Sequence, residues 1–353
     1  MNYGTIPAMP LLDEADAAAR LRELLDQDPI NDALLERQIA RLQERFAVLC
    51  ATSPFGLWGP GLVVTGEMRS HTESLLPLVE IRRSFERLCH LSFREPPFLE
   101  ASLFHRAATW LDVLEQLDPP LSSANPARLL RHLTDDGAYR TRFLCAQSMP
   151  RRYGGAFDRY PGQTAGLARW LREAGLRRQQ VRCLDAACGC GEGTYALART
   201  LLDLGVASRD FSVRGTSADP LELYAGAYGI FPHDRLRQKA FRAALEPLRV
   251  AGALARISFA REDLQQPCDS GRYDIILCNG ILGGPFLHER RGLAQAISDL
   301  AGRLAPGGIV LAADRFHDGW KKIVPPALLE ALLVNAGLSV VPVEDGVAGI
   351  RTG

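Results

Sequence analysis

The stretch Val181-Arg182-Cys183-Leu184-Asp185-Ala186-Ala187-Cys188-Gly189-Cys190-Gly191-Glu192-Gly193-Thr194-Tyr195-Ala196-Leu197-Ala198 constrains the fold of this chain more than any other. An apolar run ends on an aspartate, a glycine-rich turn comes next, and an alanine- and leucine-rich segment begins. That is strand, loop and helix, the opening of a βαβ unit. Glycines 189, 191 and 193 carry no Cβ, so the backbone can come close to a ligand. The loop feeds a helix N-terminus, whose free N–H groups suit a carboxylate or a phosphate. A dinucleotide-binding turn calls for G-x-G-x-x-G after the strand; here the order is Asp-x-Ala-x-Gly-x-Gly-x-Gly.

Towards the C-terminus the alternation of strand and helix repeats. Phe211 to Gly215 reads as a second strand that exits through Thr216-Ser217-Ala218-Asp219-Pro220 into a helix from Leu221 to Tyr228. Ala253 to Ala260 reads as a third strand, with Arg261-Glu262-Asp263-Leu264 as its exit. Tyr273-Asp274-Ile275-Ile276-Leu277-Cys278-Asn279-Gly280 is a fourth strand with its loop. A helix over 289–304 stops at Leu304-Ala305-Pro306-Gly307-Gly308 before a strand from Ile309 to Ala313. A helix over 326–336 capped by Gly337, a strand from Leu338 to Val343 and a short final strand complete an α/β, doubly wound sheet.

Upstream, the pattern is helical. Leu34, Leu35, Ile39, Leu42, Phe46 and Leu49 fall at helical spacing, and a second helix from about Ser74 to Leu91 is expected to pack against it as an antiparallel hairpin. Thr52 to Gly66 is rich in Gly and Pro and reads as a loop. The arginines of 81–87 read as a solvated helix face. The expected domains are an all-α unit over 1–140, a linker or lid over 141–165, and the sheet domain over 166–353.

The loop at 185–193 resembles motif I of the Rossmann-like S-adenosylmethionine (SAM) methyltransferases, in which a strand-end acid precedes G-x-G. SAM presents an α-amino acid, a ribose diol and an adenine, and open α/β sheets take such ligands at the carboxyl ends of their strands. The resemblance implies that Ala186, Ala187, Gly189 and Gly191 seat the methionine end, with Asp185 and Glu192 as the acids available to its ammonium. Asp219, at the end of the second strand, would accept from the ribose. Asp263, with Leu264, would meet the adenine, and Cys278 and Asn279 would flank the site from the fourth strand.

The resemblance extends to the chemotaxis receptor methyltransferases, the CheR family, over roughly residues 140–320. Ala186-Ala187-Cys188 with Gly191-Glu192-x-x-Tyr195-Ala196-Leu197-Ala198 is similar to that family's A-A-C-S-T-G-E-x-P-Y-S-L-A, whose glutamate binds the methionine amino group. Leu223-x-x-Gly226-x-x-Gly229-Ile230-Phe231 resembles L-x-x-A-x-x-G-I-Y, Tyr273 to Cys278 resembles F-D-x-I-x-C, and Leu304-x-Pro306-Gly307-Gly308 resembles L-x-P-G-G. The departures fall elsewhere. The family's ribose aspartate aligns with Ser217, leaving Asp219 as a substitute two positions on. Its Arg-Asn after the fourth strand is Asn279-Gly280 here, and the tyrosine beyond is replaced by Gly283-Gly284-Pro285. Its F-F-R has only Ala156-Phe157-Asp158-Arg159 as a counterpart, which makes Arg159 the candidate for its arginine. Pro232 to Ile257 is too short and too helical for the three-stranded subdomain that grips chemoreceptors.

Forty-one basic and 41 acidic residues leave no net charge, so nothing in the balance points to nucleic acid or an anionic membrane. No apolar run is long enough to span a bilayer, and the first 20 residues do not read as a signal peptide. Eight cysteines make no C-x-x-C pair, and Cys183, Cys188 and Cys190 read as small packing residues rather than metal ligands. The expectation is a cytoplasmic SAM-dependent methyltransferase, with S-adenosylhomocysteine (SAH) as its spent cofactor and a protein side chain, a carboxylate among the choices, as acceptor. Two alternatives stay open: a small-molecule O- or N-methyltransferase roofed by the helical domain, and a SAM-binding regulator without turnover. His317 and Asp318 are further candidates on the acceptor side.

Overall fold

The structure is a computed structural model that describes residues 5–99, 102–117, 123–149, 156–173, 180–266, 271–284, 286–313 and 322–352. The chain divides into two units, Met1–Asp13 together with Arg151–Gly353, and Glu14–Pro150.

The first unit is built on one eight-stranded sheet. Its strands are β1 (Ile6–Pro7), β2 (Val181–Ala186), β3 (Phe211–Ser217), β4 (Ile257–Arg261), β5 (Tyr273–Leu277), β6 (Leu304–Ala312), β7 (Leu338–Val341) and β8 (Val347–Arg351), in the spatial order β1-β4-β3-β2-β5-β6-β8-β7. β2 to β6 run parallel. All five residues of β5 are buried, as a strand covered on both faces requires. β8 is antiparallel to both its neighbours. Strand order turns at β2, whose partners are β3 on one side and β5 on the other. A crevice therefore opens at the carboxyl ends of these strands. This is the doubly wound α/β sheet expected from the sequence.

Three details differ. Ala253–Arg256 forms a 3₁₀ turn after Gly252 (φ 68°), so the third long strand starts at Ile257. The Pro306-Gly307-Gly308 stop lies inside β6: the register passes from Tyr273↔Leu304 to Ile275↔Ile309 across a bulge. A Cβ at Gly308 would stand 3.0 Å from the carbonyl oxygens of Tyr273 and Asp274, which explains the glycine. Third, β1 joins the sheet antiparallel to β4, pairing Ile6 with Phe259. The first 13 residues thus group with the sheet rather than with the helices. Two residues carry no readable period, and the proline needs no N–H partner on an edge strand.

Helices cover the sheet. They are α9 (Pro161–Glu173), α10 (Glu192–Asp203), α11 (Pro220–Tyr228), α12 (Arg235–Ala244), α13 (Glu246–Val250), α14 (Arg290–Gly302) and α15 (Pro326–Asn335), numbered after the eight of the other unit. Residues 235–256 are helical throughout their regular elements, α12, α13 and the 3₁₀ turn. Just ahead of β6, Arg303, 2% exposed, pairs with Glu262 and, at 3.5 Å, with Asp299.

The second unit holds α1 (Glu14–Leu24), α2 (Ala33–Thr52), α3 (Gly66–Leu75), α4 (Leu78–Ser92), α5 (Leu103–Arg106), α6 (Trp110–Leu114), α7 (Pro126–Asp135) and α8 (Gly137–Ser148). α2 and α4 are antiparallel, since Asp32 at the start of α2 pairs with Arg87 late in α4 while Arg45 reaches Glu80 in the first turn of α4. The helix expected from Ser74 starts only at Leu78, with Pro77 as its cap. The arginines of 81–87 are not one solvated face: Arg82 donates to the Phe104 carbonyl at 2.9 Å and Arg87 to Asp32, and only Arg83 of the three is exposed. The boundary expected at 140 falls inside α8, where Arg140 is 1% exposed and donates to the carbonyls of Leu133, Asp26 and Asp28. Ser102, His105 and Glu86 line up by hydrogen bonds of 2.7 and 2.9 Å; with Ser102 buried at the start of α5, they staple α5 to α4.

Candidate functional site

β2 delivers Asp185 and Ala186 to the switch point, and the chain then turns through Ala187 (φ 58°) and Gly189 (φ 55°) into α10. The Cys188 N–H donates to the Thr216 carbonyl at 2.7 Å, which fastens the loop to β3. Gly191 precedes α10 as its N-cap in a left-handed conformation and offers no side-chain cap, so first-turn N–H groups of the helix lack a side-chain capping acceptor. The three glycines do different things. A Cβ on Gly189 would meet nothing nearer than Glu222 Oε1 at 3.8 Å. A Cβ on Gly191 would stand 2.8 Å from Phe259 Cε1, and one on Gly193 would stand 2.9 Å from Asp185 Oδ2. Only Gly189 is open toward the crevice; Gly191 and Gly193 are glycines because protein atoms fill the space. Phe259, fully buried, sits in a socket made by Gly191, Gly215 and Gly226. That socket also accounts for Gly226 where the resembling family carries alanine.

The acids separate in the same way. Asp185 is 3% exposed and accepts from Thr194 Oγ1 at 2.7 Å. Burial pushes its carboxyl up to about 7, opposed by the Thr194 bond and helped by the charge of Glu192. It is tucked beneath the start of α10. Glu192 lies in the first turn of α10 and forms a 2.6 Å ion pair with Arg237 of α12, the two side chains being 10% and 9% exposed. The Arg237 guanidinium stacks on Phe231, 4.5 Å from the ring centroid. An anion and a cation thus stand side by side at the mouth of the loop.

At the end of β3, Ser217 Oγ donates to Glu222 Oε2 at 2.6 Å. Asp219 caps α11: its Oδ1 accepts from the Leu221 N–H at 2.8 Å. Glu222, half-buried in the first turn of α11, has its carboxyl pushed up, first by burial and then by the charge of Asp219. The Ala218 carbonyl accepts from Arg261. Beyond β4, Asp263 accepts from the Gln265 N–H at 2.9 Å, and Leu264 packs on the apolar cluster that holds Ala186 and Cys278. Cys278 is fully buried at the end of β5, and burial pushes its thiol up, as it does for Cys188 and Cys190, so none is a ready nucleophile. Asn279 exchanges two hydrogen bonds with Gln163 of α9, at 3.0 and 2.8 Å, and accepts from the Ala313 N–H.

Arg159 is half-buried just ahead of α9, and two residues before it the Phe157 ring packs on Phe241 of α12 at 5.3 Å. The rest of the expected lid, Arg151 to Gly155, lies outside the described residues, as do His317, Asp318 and Cys268. Among the described residues no cluster of three or more His, Cys, Asp or Glu side chains is placed to hold a metal ion. Glu222, Arg237 and Gln163 were not singled out by sequence. In sequence Glu222 is legible as the first-turn acid after a helix cap, whereas Arg237 is one cation among several and Gln163 falls in the expected linker over 141–165.

These groups fit SAM. The Glu192–Arg237 pair matches the two charges of an amino acid, the uncapped start of α10 suits its carboxylate, and the open side of Gly189 gives a main chain that a ligand can approach. Residues 165–314 match the family model described as "CheR methyltransferase, SAM binding domain". Over those residues the chain carries a CheR-type SAM-binding methyltransferase domain. A search of the curated proteins found no match. Among solved structures, the CheR-type domain is similar to the N-methyltransferase NodS from Bradyrhizobium japonicum with bound SAH (14% identity, 62% of this chain and 100% of that one, TM-score 0.37). It is similar also to magnesium protoporphyrin IX methyltransferase from Synechocystis with bound SAH (19%, 54% and 82%, TM-score 0.35). A third is the [4+2]-cyclase SpnF, of which this chain covers 57% (19% identity, 50% of this chain, TM-score 0.31). Likenesses this loose say nothing about the acceptor.

Proposed function

We propose that this methyltransferase modifies a carboxylate on a protein other than a chemoreceptor. SAM, when bound, supplies an electrophilic methyl group on a sulfonium sulfur and leaves as SAH. The chain's part is then to fix geometry and keep water out. In our reading the start of α10, Glu192 and Arg237 hold the amino-acid end, Asp263 and Leu264 border the adenine, and the Gln163–Asn279 pair closes the β5 side. Arg159 is the cation we assign to the acceptor carboxylate. An ionised carboxylate attacks through its own lone pair and gives a methyl ester, so no proton has to be removed. The observation that carries the acceptor part is that α12 and α13 occupy the segment where the resembling family places receptor-gripping strands. A cytoplasmic setting accords with seven described cysteines held as free thiols, six of them buried. Among the described residues no helix is long and apolar enough to cross a membrane.

The test is to incubate the full chain with methyl-labelled SAM and, separately, chemoreceptor-bearing membranes and a cell lysate. Base-labile label on a lysate protein is the expected result, since a methyl ester hydrolyses in alkali. Label on receptor bands contradicts the proposal, and label confined to small molecules favours a small-molecule methyltransferase. Binding of SAM without any labelling favours a regulator without turnover.

A further inference from the structure

Ser217 stands where an acid would be expected to meet the ribose, and Asp219, the substitute suggested by sequence, is committed to a backbone N–H. The Asp219 carboxylate caps α11 through the Leu221 N–H at 2.8 Å and is 5% exposed. Glu222 occupies the vacated chemistry. Its Oε2 takes a 2.6 Å hydrogen bond from Ser217 Oγ at the end of β3. Its Oε1 lies 3.8 Å from the point where a Cβ on Gly189 would stand, across the loop that leaves β2. The carboxylate thus spans the gap between the exits of β2 and β3 and keeps part of its surface open.

We propose that Glu222, steadied by Ser217, is the acid that holds the ribose diol of SAM in this chain. The acid has moved from the strand end to the first turn of the following helix, and a serine in its old place orients it. One carboxylate oxygen is steadied by the serine hydroxyl, and the other faces the open side of Gly189. Two adjacent hydroxyls donating to a carboxylate make charge-assisted hydrogen bonds, the strong kind. The proposal rests on the crevice being a SAM site, and its test separates the two claims.

The experiment is calorimetric titration of the full chain with SAH and with the SAH analogue lacking both ribose hydroxyls. Wild type is expected to bind SAH at least about tenfold more tightly than the analogue, the scale of a hydrogen bond to a charged group. Glu222→Ala is expected to lose about tenfold or more on SAH and less than about twofold on the analogue. Adding Ser217→Asp to Glu222→Ala puts an acid back at the strand end and should restore most of the SAH affinity. Asp219→Ala is expected to lower the melting temperature by removing a cap while keeping the preference for the hydroxylated ligand. Should Glu222→Ala not fold, Glu222→Gln carries the same comparison. Equal losses on both ligands, or none on either, overturn the assignment. Failure of folded wild type to bind SAH overturns the SAM reading itself.

Discussion

Valine at Gly191 is expected to unfold the sheet domain, whereas alanine at Gly189 should leave it folded and weaken its hold on SAH at least about tenfold. Gly191 has φ 85°, and a Cβ there would meet Phe259 at 2.8 Å. A β-branched residue in left-handed conformation costs about 1–2 kcal/mol, and overpacking a core aromatic about 1–3 more. Phe259 cannot yield, because Gly215 and Gly226 close on the same ring. The sum, about 2–5 kcal/mol, is a large share of a domain's stability. Gly189 shares the positive φ, at 55°, but its Cβ would meet only Glu222 Oε1, at 3.8 Å, an ordinary contact. Alanine should cost about 1 kcal/mol there. Its methyl would stand where the ligand approaches, with at least a tenfold loss of affinity, about 1.4 kcal/mol. Thermal melts and SAH titrations of the two variants test this. A stable Gly191→Val, or a Gly189→Ala that binds SAH like wild type, contradicts the assignment of these two faces.

Methionine at Arg237 is the second large effect. The Glu192–Arg237 pair is about nine-tenths buried on both sides, and removing one member of such a pair costs about 3–5 kcal/mol, because the other charge loses its cation in a poorly solvated place. Methionine retains contact with the Phe231 ring, which isolates the loss of charge. Beyond the drop in melting temperature, Arg237→Met should weaken SAH by tenfold or more, about 1.4 kcal/mol, and hardly change 5′-methylthioadenosine, which has no amino-acid group. Parallel losses on both ligands would mean that Arg237 supports the fold without touching the ligand's amino-acid end.

These residues also mark how far the sequence alone could go. The strand, glycine turn and helix at 181–198 were readable because a continuous apolar run and a helical run are local signals. The α/β sheet and the strand exits came with them. Asp219 is ambiguous in sequence because an acid before proline at a helix start has two uses, cap and ligand contact, and the structure shows its Oδ1 in the first of them. Glu222 was visible as a letter, but its aim depends on the rotation of α11 over β3. Arg237 lies 45 residues from its partner Glu192, on a helix whose placement no local pattern specifies. Gly189 and Gly191 look alike in sequence, and they differ because Phe259, from another strand, fills one side of the loop.

Titration of folded wild-type protein with SAM and SAH, with thermal melts in parallel, tests the central claim most directly. The expected result is saturable binding of both ligands at one site per chain. The melting temperature should rise with ligand concentration, as linkage requires of a native-state ligand. Absence of binding heat and of any thermal shift, from protein that melts cooperatively, would contradict the assignment of this crevice to SAM.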